Sequence, residues 1–364
     1  MVRVLHASDW HLDSAYGALS PEQARQRRAE SRALVRELVD YANDHGVQLL
    51  LLPGDLLDSD AVYAQTAEEL SAALSAFRGA VFIAPGNHDY YTSGSPYATT
   101  LWPENVHIFK SAQMERVALP QYGCVVYGAA FTAAEDTAAG LQGFTVRDED
   151  RDTVCIGVLH GDVGASESRY RALSASDIAQ SGLTYLALGH VHRYDGLQTA
   201  GATTYGYCGC LEGRGFDELG EKGFLMGEVA QDSVALRFVP FTRRRYQLLS
   251  VDVTGRNIYD AVVSALPPRT EDDLYRITLT GERGEENDDL AALAERLAPL
   301  FWAVEVRDGR TLRRDIWARC GEDSLRGIFL QNMKRRLDAA TSEDDRRKIE
   351  LAARFGVDAL DGRE

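Results

Sequence analysis

The stretch GAVFIAPGNHDYY, residues 79–91, runs a short apolar segment into Pro-Gly and then into three polar side chains, Asn87, His88 and Asp89. Polar groups at the end of a buried strand cost free energy unless something there pairs with them. The stretch therefore predicts a strand that ends in a functional loop, and the rest of the chain has to supply the partners of these side chains.

The segments before this stretch alternate between strand and helix patterns. VRVLHA, residues 2–7, indicates a strand, and Ser20 followed by Pro21 marks the start of a helix that ends near Gly46. VQLLLL, residues 47–52, is a continuous apolar run typical of a strand buried on both faces. This order of strand, helix, strand, helix and strand predicts three parallel, buried strands.

Further strand patterns follow, too many for one open parallel sheet. We therefore expect an α/β (α+β) fold in which a β-sandwich is flanked by helices, giving four layers. The pattern changes near FTRRRYQ, residues 241–247, after which a second alternation of strands and helices begins. The predicted division is a core domain at 1–242, a small α+β capping domain at 243–310 and a helical C-terminal region at 311–364.

Composition limits the classes of function. The chain has 364 residues, 45% of them hydrophobic, and a net charge of −16 from 39 basic and 55 acidic residues. This charge argues against a broad DNA-coating surface, because phosphate binding needs Lys and Arg. Any contact with nucleic acid must be local, or helped by metal cations or a partner.

The cysteines and the N-terminus indicate an intracellular protein. The five cysteines are odd in number and scattered, which favours packing thiols over a disulfide framework. The chain begins directly with a strand pattern instead of a signal peptide, and its apolar runs are shorter than a membrane span. We expect a cytoplasmic protein that does not bind membranes.

Five segments end an apolar run with side chains able to bind metal, and they contain five of the eight histidines. One such motif alone is more often a turn or a satisfied polar residue, but five in series favour a metal site. In parallel α/β folds the carboxyl ends of strands are where sites form. The candidates are Asp9, His11, Asp55, Asn87, His88, His160, His190 and His192.

Spacing and chemistry suggest a dinuclear site. Residues two apart in an extended chain point the same way, so Asp9 with His11, and His190 with His192, can face one cleft. Carboxylate, amide and imidazole ligands suit Mn, Fe or Zn better than Ca or Cu(I). If Asp55 is shared, seven ligands give two metals four ligands each, roughly 3.5–4 Å apart.

In this order, DWH, GD, GNHD, a lone histidine after an apolar strand and GHVH resemble the calcineurin-like metallophosphoesterase superfamily over about residues 1–240. A narrower likeness joins the chain to bacterial SbcD-like DNA repair exonucleases of the YhaO type. It is carried by HASDWHLDS at 6–14, PENVHIF at 103–109 and RGFDELGEKGF at 214–224.

The resemblance implies a role for each candidate residue. His88 would stabilise the developing charge or protonate the leaving 3′ oxygen, and Asp89 would orient His88 through its second ring nitrogen. Two divalent ions are implied, Mn in first place with Fe or Zn as alternatives. One ion would be held by Asp9, His11, Asp55 and His192, and the other by Asp55, Asn87, His160 and His190.

The residues that would contact DNA outside the metal site are indicated only by basic side chains. Arg214 and the cluster Arg243, Arg244 and Arg245 are the candidates for phosphate contact, although a basic cluster is more often a solvated face. The segment 214–224 either lines the DNA path or is a glycine-rich surface loop. Archaeal and eukaryotic relatives carry a histidine shortly after the GD motif where this chain has Asp58, which leaves the balance between exonuclease and endonuclease activity open.

The resemblance implies a Mn-dependent DNA nuclease in DNA repair and recombination. It further implies an SbcC/Rad50-like coiled-coil ATPase as partner and a homodimer. One alternative keeps the same chemistry on a small-molecule or protein phosphoester, since fold alone does not set the substrate. A second alternative is a non-enzymatic scaffold, which the complete ligand set disfavours.

Overall fold

A computed structural model of the protein describes residues 1–58, 64–137, 140–164, 167–283, 288–312 and 316–360. Contacts between Cα atoms divide the chain into two compact units. The first consists of Met1–Leu249, Pro268–Arg276 and Ala298–Val304, and the second of Ser250–Pro267, Ile277–Leu297 and Glu305–Glu364.

The strands are numbered along the chain. They are β1 Val2–His6, β2 Leu49–Leu52, β3 Ala80–Ile83, β4 Val106–Ile108, β5 Glu115–Leu119, β6 Cys124–Gly128, β7 Val154–His160, β8 Asp162–Val163, β9 Ala172–Leu173, β10 Tyr185–Gly189, β11 Gln198–Ala200, β12 Thr203–Tyr207, β13 Gly223–Ala230, β14 Ser233–Pro240, β15 Tyr246–Asp252, β16 Leu274–Thr280, β17 Glu282–Arg283, β18 Ala303–Asp308 and β19 Thr311–Leu312.

The α-helices are numbered in the same way. They are α1 Pro21–Asp44, α2 Ala64–Ser75, α3 Pro96–Thr99, α4 Ala175–Gln180, α5 Ile258–Ala265, α6 Leu290–Leu297, α7 Leu325–Ala339 and α8 Glu343–Leu360.

Helix α1 shows how local sequence sets an element. The Ser20 hydroxyl accepts a hydrogen bond from the backbone N–H of Gln23, and the Gln23 side chain accepts one from the backbone N–H of Ser20. With Pro21 at the first helical position, this capping box pairs N–H groups that would otherwise be left without a partner. The helix ends at Asp44, and Gly46 follows with a φ of 64°.

Two six-stranded sheets dominate the described part of the first unit. One has the order β14-β13-β1-β2-β3-β4, and the other β11-β12-β10-β7-β6-β5. In the first sheet β1, β2 and β3 are parallel, with Val4 opposite Leu49 and Leu49 opposite Ala80. In the second sheet β6, β7 and β10 are parallel. The predicted parallel arrangement of the first three strands is confirmed.

Side-chain alternation along β2 shows how the layers form. Leu49 and Leu51 pack in the apolar layer between the two sheets, together with Val126 and Ile156 of the second sheet. Leu50 and Leu52 of β2 pack instead on the opposite face, in the cluster that includes Leu34 and Leu38 of α1. Each fully buried leucine contributes about 1.5–3 kcal/mol. The predicted α/β sandwich flanked by helices is therefore confirmed.

The second unit contains α5 to α8 and ends in the helical pair α7 and α8. Leu330 and Met333 of α7 pack with Ala353 and Val357 of α8, whereas Ile328 is 54% exposed. The helical C-terminal segment predicted from the sequence is thus present. Among the helices within the described ranges, none is long and apolar enough to cross a membrane.

Candidate metal centre

The predicted ligands lie where strands of both sheets end. β1 ends at His6, β2 at Leu52, β3 at Ile83 and β10 at Gly189, so most of the ligands follow in loops, while His160 is the last residue of β7. The structure brings together all seven of the predicted ligands, which are Asp9, His11, Asp55, Asn87, His160, His190 and His192.

The reason for this convergence differs from the prediction. Alternation along an extended strand was expected to aim ligand pairs into one cleft, but four of the seven ligands lie beyond the strands in backbone with positive φ. The φ angles are 54° at Asp9, 42° at His11, 51° at Asp55 and 107° at His190. Non-glycine residues adopt such angles at a cost of about 1–3 kcal/mol each, and they concentrate at functional sites.

One group of ligand atoms is formed by Asp9, His11 and His192, whose nearest donor atoms lie within 4.8 Å of one another. The Nε2 atom of His192 is 3.2 Å from Nε2 of His11 and 3.6 Å from Oδ1 of Asp9. Asp9 and His11 are buried. This group could hold one metal ion.

A second group is formed by Asp55, His160 and His190, and the amide of Asn87 lies with it. The Oδ1 atom of Asn87 is 2.9 Å from Nε2 of His160 and 3.2 Å from Nδ1 of His190. Asp55 lies between the groups, because its Oδ2 atom is 3.4 Å from Nε2 of His160 and 3.7 Å from Nε2 of His11. Asp55 is therefore placed to bridge two ions.

The remaining ring nitrogen of each histidine faces an acceptor oxygen. His160 Nδ1 is 2.9 Å from the carbonyl oxygen of Pro53, and His192 Nδ1 is 2.6 Å from Oε1 of Glu218. Similarly, His11 Nδ1 is 3.2 Å from Asp58 Oδ1, and His190 Nε2 is 3.5 Å from Asp162 Oδ1. The hydrogen-bonded nitrogens of His160 and His192 are therefore assigned the ring proton, and the nearby carboxylate favours the same assignment at His11 and His190.

This tautomer assignment tests whether the site fits a metal. With the protons directed outward, the inner nitrogens of His11 and His192 present lone pairs to each other at 3.2 Å. The inner nitrogens of His160 and His190 likewise face the carbonyl oxygen of Asn87. Facing lone pairs repel unless a cation lies between them. The donor set therefore fits divalent metal ions.

The electrostatics of the site lead to the same conclusion. Burial, with the nearby carboxylates of Asp89 and Asp9, raises the pKa of Asp55 well above its usual range. Burial also raises the pKa of Asp9 to about 6. Burial lowers the pKa of His11 to about 3 and that of His160 well below its usual value, so both imidazoles are neutral. Neutral imidazoles and crowded carboxylates are suited to bind cations.

The loop that opened the sequence analysis is held by Asp89. Its Oδ1 atom accepts from the backbone N–H of Gly86 at 2.7 Å, and its Oδ2 atom accepts from the N–H of Leu56 at 2.7 Å and from the Tyr97 hydroxyl at 2.5 Å. Two further backbone N–H groups, those of Asp55 and Leu57, also donate to this carboxylate.

This corrects the prediction that Asp89 orients the ring of His88. The His88 Nδ1 atom lies 3.1 Å from the carbonyl oxygen of Asp58, which takes that role. Asp89 instead fastens the loop that carries Asn87 to the loop that carries Asp55. Glycine is also needed at position 86, since a Cβ there would lie 2.2 Å from Oδ1 of Asp55.

The four arginines proposed for phosphate contact are in two environments. Arg214 lies at the site, with Nη1 3.3 Å from Asp58 Oδ1 and Nη2 3.0 Å from Glu218 Oε1. The other three each form an ion pair with an acidic side chain, and Arg244 also stacks on Trp302. The pairs are Arg243 with Glu37, Arg244 with Glu30 and Arg245 with Asp273.

These pairs make the 243–245 cluster a structural feature of the first unit. An arginine that already makes a close pair with a carboxylate has part of its charge neutralised. Arg214 is also paired, with Asp58 and Glu218. It is, however, the one of the four arginines that lies beside the predicted ligand His192, and it is therefore the better placed for phosphate contact.

Sequence reasoning missed Glu218, Tyr97 and Asp162. Glu218 and Asp162 hold ring nitrogens of predicted ligands, and Tyr97 donates to Asp89. Asp58, noted only as a departure from a family pattern, could also join His11 and His88 in a third group of metal-capable residues. Glu218 lies in the RGFDELGEKGF motif, which was the only signal in the sequence that pointed to it.

Comparison with known proteins assigns the class. The sequence pattern of the family described as calcineurin-like phosphoesterase matches residues 2–194, just over half of the chain. The chain belongs to the calcineurin-like phosphoesterase family. The family is described as phosphoesterases, and the groups of side chains that could hold a metal ion fit that description.

Two curated relatives are similar to particular parts of the chain. "Uncharacterized metallophosphoesterase YhaO" of Bacillus subtilis (strain 168) is 32% identical over 264 residues, which cover 69% of this chain and 63% of the relative. The SbcD subunit of the nuclease SbcCD from Rhodobacter capsulatus is 25% identical over 218 residues, covering 55% and 50%. The chain thus spans less than two thirds of the length of either relative.

Among solved structures, the chain is similar to the crystal structure of the Thermus thermophilus protein TT1561. The sequence identity is 16% and the TM-score 0.44, and the match covers 66% of this chain and 100% of the other.

Proposed function

We propose that the protein is a metal-dependent DNA nuclease that hydrolyses phosphodiester bonds, with two divalent ions, Mn²⁺ in first place. The observation that carries the proposal is the set of seven inward-facing donor atoms with Asp55 between the two groups. Divalent cations at such a position polarise a phosphoryl oxygen and strengthen water as a nucleophile at neutral pH. The proposed ligands are Asp9, His11, Asp55, Asn87, His160, His190 and His192.

His88 is proposed as the catalytic residue. Its side chain is exposed beside the site, with its ring centroid 4.8 Å from that of His11. Because Nδ1 is held by the Asp58 carbonyl oxygen, Nε2 is the atom left to act on substrate. A proton at Nε2 can neutralise charge on the phosphoryl group or pass to the leaving 3′ oxygen.

DNA as the substrate is supported by similarity to a relative named as part of a nuclease. That name also motivates the proposal of an SbcC-like coiled-coil ATPase as partner in DNA repair and recombination. The exposed apolar side chains of the C-terminal helices would be available to such a partner, among them Ile328 at 54%, Leu351 at 55% and Phe355 at 68%. A homodimer and a cytoplasmic location are part of the same proposal.

A substrate panel tests this function. The metal-free protein is reconstituted with Mn²⁺ and given linear duplex DNA, single-stranded DNA, a phosphomonoester and a cyclic nucleotide. We expect degradation of DNA, with the length of the products reporting exonuclease or endonuclease action. Efficient cleavage of the small phosphoesters with every DNA substrate left intact would overturn the assignment.

The alternative is hydrolysis of a small-molecule or protein phosphoester by the same centre. Two observations favour it. The net charge is −16, and the basic cluster at 243–245 is paired with acidic side chains. The phosphomonoester and cyclic-nucleotide arms of the panel distinguish it from the nuclease.

Affinity for Mn²⁺ is expected to depend on pH. Burial raises the pKa of Asp9 to about 6, so below that pH a proton occupies a carboxylate that the cation needs. For one displaced proton, affinity falls about tenfold for each pH unit below about 6. Titration calorimetry with Mn²⁺, in two buffers of different ionisation enthalpy, measures both affinity and proton release. An affinity that stays constant on acidification through this range would contradict the prediction.

A further inference from the structure

His192 is held by the segment Arg214–Lys222 from several sides. Glu218 Oε1 lies 2.6 Å from Nδ1 of the ring. The carbonyl oxygen of His192 accepts from Lys222 Nζ at 3.2 Å and from the backbone N–H of Cys210 at 3.2 Å. Glu218 and Lys222 are buried. The segment is therefore part of the support of the metal centre, which neither of its two predicted roles anticipated.

Glu218 decides the tautomer of His192. An ionised carboxylate can only accept, so the contact at 2.6 Å requires the ring proton on Nδ1 and leaves Nε2 as a metal donor. Arg214 Nη2 lies 3.2 Å from the same Nδ1 atom and can only donate. Without the carboxylate, Arg214 would favour the opposite tautomer, in which Nε2 carries the proton and cannot bind metal.

Arg214 also contacts two carboxylates, each of which lies beside a histidine of the first ligand group. Its guanidinium contacts Glu218, which accepts from the His192 ring, and Asp58, whose Oδ1 atom lies 3.2 Å from Nδ1 of His11. Its backbone N–H donates to Oε2 of Glu218 at 2.8 Å. The guanidinium balances charge on both acids, and because Arg214 can only donate, both carboxylate oxygens of Glu218 act as acceptors towards it.

We propose that Glu218 is a positioning residue that holds His192 in its metal-binding tautomer, with Arg214 coupling it to Asp58 and His11. The inference rests on the proposed two-metal function. The inference predicts that only one of the two metal ions is affected. Loss of Glu218 should weaken the ion held by Asp9, His11 and His192 and leave the ion held by Asn87, His160 and His190 in place.

The test is the substitution Glu218→Gln in the full chain, with Asp217→Asn as the matched control. Asp217 is the neighbouring carboxylate and is exposed. Mn²⁺ alone is titrated into chelator-treated protein, followed by calorimetry and electron paramagnetic resonance. Wild type and Asp217→Asn should bind two ions and show a spin-coupled pair. In Glu218→Gln one of the two dissociation constants should rise about 10–100-fold, and the spectrum at limiting Mn²⁺ should be that of an isolated ion.

Two results would overturn the inference. One is wild-type affinity at both sites in a folded Glu218→Gln protein, and the other is equal weakening of both sites. If circular dichroism shows that Glu218→Gln does not fold, Arg214→Lys is measured in the same way. Lysine keeps the charge but loses the fork that spans Asp58 and Glu218, so unchanged binding of both ions would equally refute the coupling. Failure of the wild type to bind two ions would instead refute the proposed function.

Discussion

His88→Ala is expected to lower the rate of DNA cleavage by about 10²–10⁴-fold while the protein retains its full complement of Mn²⁺. The imidazole is exposed and is held through Nδ1 by the Asp58 carbonyl oxygen. It is therefore placed to act on substrate through Nε2, and it is not one of the seven proposed ligands. Single-turnover cleavage of a labelled duplex, with metal content measured on the same sample, separates catalysis from metal binding.

A matched control is available in His45→Ala. His45 is also exposed, and it caps the end of α1 by contacting the carbonyl oxygen of Tyr41. This variant should cleave DNA at the wild-type rate. A His88→Ala protein that cleaves at the wild-type rate, or that loses rate only because it has lost metal, would remove His88 from the proposed mechanism.

Asp89→Asn is expected to lower the free energy of unfolding of the metal-free protein by about 2–6 kcal/mol. The wild-type carboxylate accepts five hydrogen bonds, four of them from backbone N–H groups. An amide replaces one acceptor oxygen with a donor, so two or more buried N–H groups lose their partner, at about 1–3 kcal/mol each. The two loops that carry Asn87 and Asp55 would separate, and metal affinity should fall as well.

Urea denaturation followed by circular dichroism measures this effect, compared with Tyr97→Phe. That control removes only the hydroxyl donor at 2.5 Å and leaves the four backbone contacts of Asp89 in place. Its expected cost is about 0.5–1.5 kcal/mol. An Asp89→Asn protein as stable as Tyr97→Phe would show that the carboxylate does not hold the loops together.

Much of the fold could be predicted because its signals are local. The capping box at Ser20 and the apolar run at residues 47–52 lie within a few residues of the elements they define. The order of the first strands and helices follows from such patterns, and so does the end of β2 at Leu52. The candidate ligands were found for the same reason, since each one directly follows an apolar run.

The support around those ligands could not be predicted in this way. Glu218 lies 26 residues from His192 and Asp89 lies 34 residues from Asp55, although each pair is in contact. Asp89 was assigned to its neighbour His88, and Arg243 to phosphate. In the structure, Asp89 binds the backbone of a distant loop and Arg243 pairs with Glu37.

The sequence alone determined which segments become strands and which residue types end them, because periodicity and capping act over a few residues. Only the tertiary structure decided the positive φ angles at Asp9, Asp55 and His190. It also decided which ring nitrogen of each ligand histidine faces the metal site, and which carboxylate forms an ion pair with each arginine. These depend on which distant groups meet. Hydrogen bonds and ion pairs form only when two groups lie within about 3–4 Å of each other. A local sequence pattern does not predict which residues that are remote in the chain come this close.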